Sequence, residues 1–588
     1  MRVQRVVVPA AVLGWAWVAL AQTPQAPQSQ QPARDRPAQQ QQQQATPAPS
    51  AVITGRVVTA DNGRPVKRAR VAVSARELPE GRATLTDDSG VYEITELPAG
   101  RYTLTVAKSG FISLSYGQRR PLQSGTPLQL GDSQQLKGVD FRLPRGGVIA
   151  GRIFDEDGEG LPGASVRVMR YQYLQGDRRL VPVGNSQTDD KGQYRVWGLM
   201  PGDYYVNVVA RNFNIIGGRG GRGVIANAIG IVGGNVFVGD EDPTQVAYAP
   251  TYYPGVGSVN EARAVTLDVS QELTDVNFGI QLVRTARVTG FVSNGDGSPA
   301  YNGNVTISPD SGPAAGRGGP IGTNYGSRID WDGTFTIVNV PPGRYTLRAR
   351  SGGNDDPQYA TQPVSVSSGD VSNVAVILAP GGTISGTVAL QSATPADLTQ
   401  VRVAAPSADQ SSFGVNPQTR VDKNGTFALS GVPAGLHFIR SNGAPRGWSL
   451  RSVLIDGRES IDTPVDVRSG QTVAGVALIF TDKISEITGT ITNAQGTPLT
   501  DFTILAFPTD QTQWRPQSRY IAATRPDQNG SFQLRGLPPG EYYIAPVDPA
   551  EQGEWFEPAF LDAHRQGAAR LTLGDGDVKT QDFKLATR

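Results

Sequence analysis

The sequence predicts an all-β chain: a tandem array of five small antiparallel β-sandwiches with Greek-key-like connections. Three observations carry that expectation. A motif recurs five times: TDDSGVYEITELPAG ending at Gly100, TDDKGQYRVWGLMPG at Gly202, IDWDGTFTIVNVPPG at Gly343, VDKNGTFALSGVPAG at Gly435 and PDQNGSFQLRGLPPG at Gly540. A glycine-centred mark precedes each copy: ITGRV at Gly55, IAGRI at Gly151, VTGFV at Gly290, ISGTV at Gly386 and ITGTI at Gly489. Each unit then closes on an alternating run: VDFRL (139–143), VNFGI (276–280), VAVIL (374–378), VALIF (476–480) or QDFKL (581–585). A glycine count of 70 and a proline count of 43 exceed average usage, as many turns between short strands require.

Within the motif each residue type has a structural reason. Asp87, Asp189, Asp330, Asp422 and Asp527 stand three residues before a glycine. There a short carboxylate closes an Asx turn and the glycine tolerates positive φ. An aromatic follows that glycine two residues later: Tyr92, Tyr194, Phe335, Phe427 and Phe532. Tyr92 and Ile94 alternate on one strand face, and Tyr102, Leu104 and Val106 alternate on the next strand. Leu-Pro-x-Gly breaks the chain between them, so the segment is expected to form an antiparallel hairpin with a buried inner face.

The chain divides accordingly. Residues 1–21 carry Arg2 and Arg5, an apolar run and Ala19-Leu20-Ala21, the pattern of a signal peptide cleaved before Gln22. Residues 22–50 are nearly all Gln, Pro, Ala, Ser and Thr and are expected to be a disordered tether. The sandwiches are placed at 51–146, 147–283, 284–380, 381–482 and 483–588, the second with a Gly/Arg-rich insertion at 213–243. The insertion is expected to be a flexible loop open to a partner. Fifty-four Lys and Arg against 53 Asp and Glu leave a net charge of +1, which attracts neither nucleic acid nor an anionic membrane. Without cysteine, each domain must fold on packing alone.

The pattern ITGRV…D-x-x-G-x-Y…LP-x-G-x-Y-x-L resembles the carboxypeptidase regulatory-like domain across about residues 51–588. That resemblance implies a prealbumin-like (transthyretin-like) sandwich, related to starch-binding-like folds, and a role as scaffold or accessory module rather than catalyst. The stretches PRGGVIAGRIFDEDGEGLPGASV and AYAPTYYPG resemble secreted multi-domain versions of the family. The zinc-dependent peptidases that carry such a domain need His-x-x-Glu and a later His, and this chain has neither, so their activity is not carried over.

Residues that could carry chemistry are few. His437, in GLHFI, takes the position of Tyr102, Tyr204, Tyr345 and Tyr542 and is expected to pack at a strand start. His564, near Asp562, allows a relay to be imagined, but no G-x-S-x-G elbow accompanies it. A hydrolase with a degenerate site there is the second alternative function. No phosphate loop is present, and two histidines in separate domains disfavour zinc. Isopeptide cross-linking is disfavoured because the third domain lacks lysine and the second has only Lys191. No cofactor is expected, apart from a weak calcium site in DEDGEG (155–160) or GDGD (574–577).

The expected function is a non-catalytic structural, adhesion or interaction scaffold, exported to the periplasm, outer surface or medium. Its partners would be a polysaccharide or a cell-envelope protein. The first alternative is carbohydrate binding by loop aromatics, with Trp331, Trp514, Trp555, Tyr252 and Tyr253 as the stacking candidates. Trp331 stands out, inserted in the turn DWDG where its ring is expected to be exposed.

Overall fold

The computed structural model describes residues 50–586 except 120–121, 175, 211–229, 233–234, 238–245, 311–324, 354–355, 368, 393–395 and 409–415. The apolar leader, the Gln/Pro-rich segment up to 49 and most of the 213–243 insertion lie outside the described residues. Five hydrophobic cores follow one another along the chain, spanning Ala51 to Leu143, Ile149 to Ile280, Ala286 to Leu378, Ile384 to Phe480, and Ile487 to Leu585.

The first unit shows how the motif builds a sandwich. Strand Ala51–Thr59 pairs antiparallel with Val91–Leu97 and parallel with Gln135–Leu136 and Phe141–Leu143. The facing sheet joins Leu78–Leu85, Arg70–Ala75 and Gly100–Ala107. Two details differ from the sequence expectation. The closing strand runs parallel to the first and lies beside it in one sheet. The strands flanking Leu-Pro-x-Gly do not form a hairpin: Val91–Leu97 and Gly100–Ala107 belong to opposite sheets. Tyr92 and Ile94 therefore meet Tyr102 and Leu104 across the core. Alternation alone is blind to this choice, since either arrangement buries the same residues.

The proline turn is thus a corner between sheets, and the tyrosine after it pins that corner. The Tyr102 hydroxyl donates to Pro98 O at 2.7 Å, Tyr345 to Pro341 O at 2.7 Å, and Tyr542 to Pro538 O at 2.6 Å. Tyr204 makes the same bond to Met200 O. These rings are buried, so the hydrogen bond satisfies a hydroxyl that would otherwise be costly.

The glycine mark has an equally concrete cause. A Cβ on Gly55, Gly151, Gly290, Gly386 or Gly489 would fall 1.9, 2.1, 2.1, 1.7 or 1.9 Å from a carbonyl oxygen of the closing strand. Only glycine lets that strand approach. The Asx turn also forms as its residues require. Asp87, Asp189, Asp422 and Asp527 each accept two backbone N–H bonds through Oδ1. In the third copy Asp332, beside Trp331, accepts from Thr334 instead. The following glycines, Gly90, Gly192, Gly333, Gly425 and Gly530, have φ between 74° and 87°.

The domains do not form an open string. Residues 49–588 make one compact unit, and the fifth domain docks on the first, second and fourth. Its Arg525, 4% exposed, reaches into the first domain and donates to Gly117 O at 3.2 Å and Ser124 O at 2.8 Å. It also holds Thr500 O at 2.7 Å and Asp501 at 3.4 Å, while Asp501 pairs with Arg119 of the first domain at 2.9 Å. Gln528 pairs with the Gln129 backbone twice, accepting from N at 2.8 Å and donating to O at 2.7 Å. Towards the fourth domain, Arg519 meets Asp462 at 2.8 Å and Arg451 meets Asp575 at 3.0 Å.

Candidate functional site

Closing the chain on itself creates a cleft. The second domain contributes the long hairpin Ser165–Leu174 and Asp177–Gln187, whose turn residue Gly176 has φ 87°. A Cβ on Gly176 would fall 2.9 Å from Phe556 and 3.0 Å from Pro516 of the fifth domain, so this tip seats directly on it. The fifth domain contributes the segment before helix Pro558–Arg565, with Gly553 at φ 94° lying against Tyr173. The first domain supplies residues 113–119 and 122–123, tied across by Gln552 N donating to Leu122 O at 3.1 Å.

These three elements enclose about 550 Å³, within the size range of small-molecule sites. Trp555, Phe556 and Tyr173 form its aromatic walls, and Gln118, Gln172 and Glu551 are prominent among its polar groups. Burial pushes the Glu551 carboxyl above the usual range, and nearby Arg170 opposes that shift. Its Oε1 is buried without a hydrogen-bond partner.

The five aromatics singled out in the sequence do not converge. Trp331 is 86% exposed at the third domain's turn, as its position predicts. Beside it, the Phe291 ring lies against Gly333 and is itself exposed. Trp555 lines the cleft while its ring packs against the fifth domain's second core cluster. Trp514 is not a loop platform: it is 7% exposed, its Nε1 donates to Pro508 O at 2.8 Å, and its ring meets Phe507 edge-on at 5.8 Å. Tyr252 is likewise buried, with Met169 and Leu180. Tyr253 is half-buried with its ring 5.8 Å from Phe278. Both tyrosines are spent on packing because their segment pairs with strand Gly202–Val209 inside the second domain.

The histidines read as structure. His437 is 3% exposed, with Nε2 2.8 Å from Pro433 O, the counterpart of the tyrosine corner bond, and Nδ1 2.9 Å from Ala405 O. His564 directs Nδ1 to Phe560 O at 2.8 Å within its own helix, and Asp562 pairs with Arg565 at 3.3 Å. No relay is assembled between them. The calcium candidates are tied up by protein groups: Asp155 accepts from Asp157 N and Glu159 N, and Glu156 accepts from the Tyr248 hydroxyl. Asp575 and Asp577 pair with Arg451 and Lys579. Among the described residues no three His, Asp or Glu side chains gather as a metal site.

Sequence reasoning missed Glu551, Tyr173, Gln172 and Arg525. The first has a readable signal, because DPAEQGEWFEPAFLDAHRQG (548–567) departs from the other repeats and contributes the chain's only α-helix among the described residues. The other three have none, since their roles arise from contacts between distant domains.

Known proteins place these observations. The carboxypeptidase regulatory-like domain family matches residues 52–144 and 287–379. No curated protein matches the chain. Among solved structures, the chain is similar to GBS52, the minor pilin of Streptococcus agalactiae, at 15% identity over 40% of this chain and 97% of that one, TM-score 0.21. It is also similar to BcpA, the major pilin subunit of Bacillus cereus, at 15% identity over 57% and 100%, TM-score 0.14. A third is the RrgB pilus protein of Streptococcus pneumoniae, at 8% identity over 75% and 98%, TM-score 0.15. Two of the five repeated units, at residues 52–144 and 287–379, thus match the carboxypeptidase regulatory-like domain.

Proposed function

We propose that the protein is an exported, non-catalytic scaffold that holds five sandwich domains in a closed arrangement and presents their outer surface to an envelope partner. The observation that carries this reading is where the reactive-looking residues go. The repeated Asp, Gly and Tyr are consumed by turns and corners, and Arg525, Asp501, Arg519 and Asp462 are consumed by joints between domains. Export is supported by Arg2, Arg5 and the apolar run before Ala21. Among the described residues no helix is long and apolar enough to cross a membrane. Fractionation of cells making the full chain tests export directly, with the protein expected outside the inner membrane and a cytoplasmic pool contradicting it. A panel of ester, glycoside and peptide substrates is expected to show no turnover; activity lost in His564→Ala would overturn the non-catalytic reading.

A second reading, polysaccharide binding, is favoured by Trp331, whose ring is exposed in the turn whose Gly333 lies against the partly exposed Phe291 ring. An apolar ring face can stack on the C–H face of a pyranose. Retardation in polysaccharide affinity gels that Trp331→Ala weakens is the expected result, and unchanged migration on every glycan would remove this reading.

A further inference from the structure

The cleft between the first, second and fifth domains is a cavity that no single repeat could build. We propose that it is a binding site for a neutral oligosaccharide segment, an assignment that rests on the polysaccharide reading above and adds a second site, separate from Trp331. Its walls combine flat apolar faces, Trp555, Phe556 and Tyr173, with the planar amide of Gln172. Aromatic faces suit the C–H surfaces of sugar rings, and an amide offers donor and acceptor side by side to neighbouring hydroxyls. Among the described residues neither Lys nor Arg lines the cleft, which disfavours phosphorylated or sulfated ligands. The polar lining in turn disfavours a purely apolar guest.

An independent observation points the same way. Glu551 lines this wall, and its Oε1 is buried with no hydrogen-bond donor. An unsatisfied buried acceptor is costly, and rotation of the carboxyl group would let a sugar hydroxyl supply the missing donor. The volume of about 550 Å³ accommodates a short saccharide segment. Because the walls come from three domains, a bound segment would also tie the closed arrangement together, since a ligand that binds only this form stabilises it by mass action.

The test uses the full mature chain with cello-, xylo-, malto- and chito-oligosaccharides, followed by tryptophan fluorescence and titration calorimetry. At least one series is expected to bind, and Trp555→Ala to weaken it tenfold or more. Ser113→Trp, placed at an exposed residue of the first domain, fills the cleft without touching the fifth domain's core and is expected to do the same. Trp331→Ala is expected to leave this binding unchanged. Binding that survives Trp555→Ala and Ser113→Trp but disappears in Trp331→Ala would overturn the cleft assignment and leave the polysaccharide reading standing. Absence of binding to every series would overturn both.

Discussion

Arg525→Ala should unlatch the fifth domain from the first. The guanidinium is nearly solvent-free, with a side chain 2% exposed, and burial pulls it below its ordinary basicity. Its Nη1 holds two carbonyls of the first domain and its Nη2 holds Thr500 O and Asp501, while Nε is buried without a partner. Truncation strands the Gly117 and Ser124 carbonyls, each costing about 1–3 kcal/mol where water does not refill. Asp501 is 36% exposed and keeps its pair with Arg119, so its 3.4 Å contact adds little, and the two stranded carbonyls set the net loss at about 3 kcal/mol. About 3 kcal/mol shifts the balance of closed and open forms more than 100-fold. Because a five-domain chain need not unfold in one step, a single unfolding free energy is the wrong readout. Hydrogen exchange across residues 113–126 is the right one, with faster exchange expected in the variant and no change in Lys67→Ala, whose pair with Asp88 is exposed. Unchanged exchange in Arg525→Ala would refute the latch.

Other substitutions probe the repeat itself. Gly386→Ala puts a methyl 1.7 Å from Val476 O and should destabilise the fourth domain by about 2–4 kcal/mol, seen as an early calorimetric transition. Tyr542→Phe removes only the corner bond to Pro538 O and should cost about 1 kcal/mol, read from the fifth domain's denaturation midpoint. His437→Ala opens a cavity and removes the ring N–H that serves the Pro433 or the Ala405 carbonyl, so a loss of about 2–4 kcal/mol is expected, whereas His437→Tyr should recover part of it through Pro433 O. The Thr426 hydroxyl, then the Thr426 N–H, hold the Asp422 carboxyl below its usual range. A depressed folded-state value means the contribution is present above the unfolded pKa and lost as pH falls through the folded one. Melting temperature should therefore fall more steeply below about pH 4 in the parent chain than in Asp422→Asn.

What could be read in the sequence follows the range of the interaction. Asp87 with Gly90, or Tyr102 with Pro98, act within a few residues, so a repeated spacing reveals their chemistry. The partner of Gly55 is Val139 O, far along the chain, yet the glycine stands out because a strand interior otherwise avoids it. The corner after Leu97 was invisible as a corner, because alternation fixes which residues are buried and leaves open which strand they face. Trp514 looked loop-like by its neighbours Asp510, Gln511, Thr512 and Gln513, but a short 3-10 turn at Gln511–Gln513 folds its ring back onto Phe507. Arg525 carries no local mark at all, because its partners in the first domain lie about four hundred residues away.

The closed arrangement depends on the contact between the first and fifth domains. The chain contains no cysteine, so Gln129→Cys with Gln528→Cys introduces the only two thiols, at positions that hydrogen-bond directly across that contact. Treated in dilute solution with a short bismaleimide, the double variant should join within single molecules and migrate as a compact species in denaturing gels. Each single variant should stay unchanged. A double variant that yields only cross-linked dimers or unjoined chains would show the domains as an open string and contradict the closed arrangement.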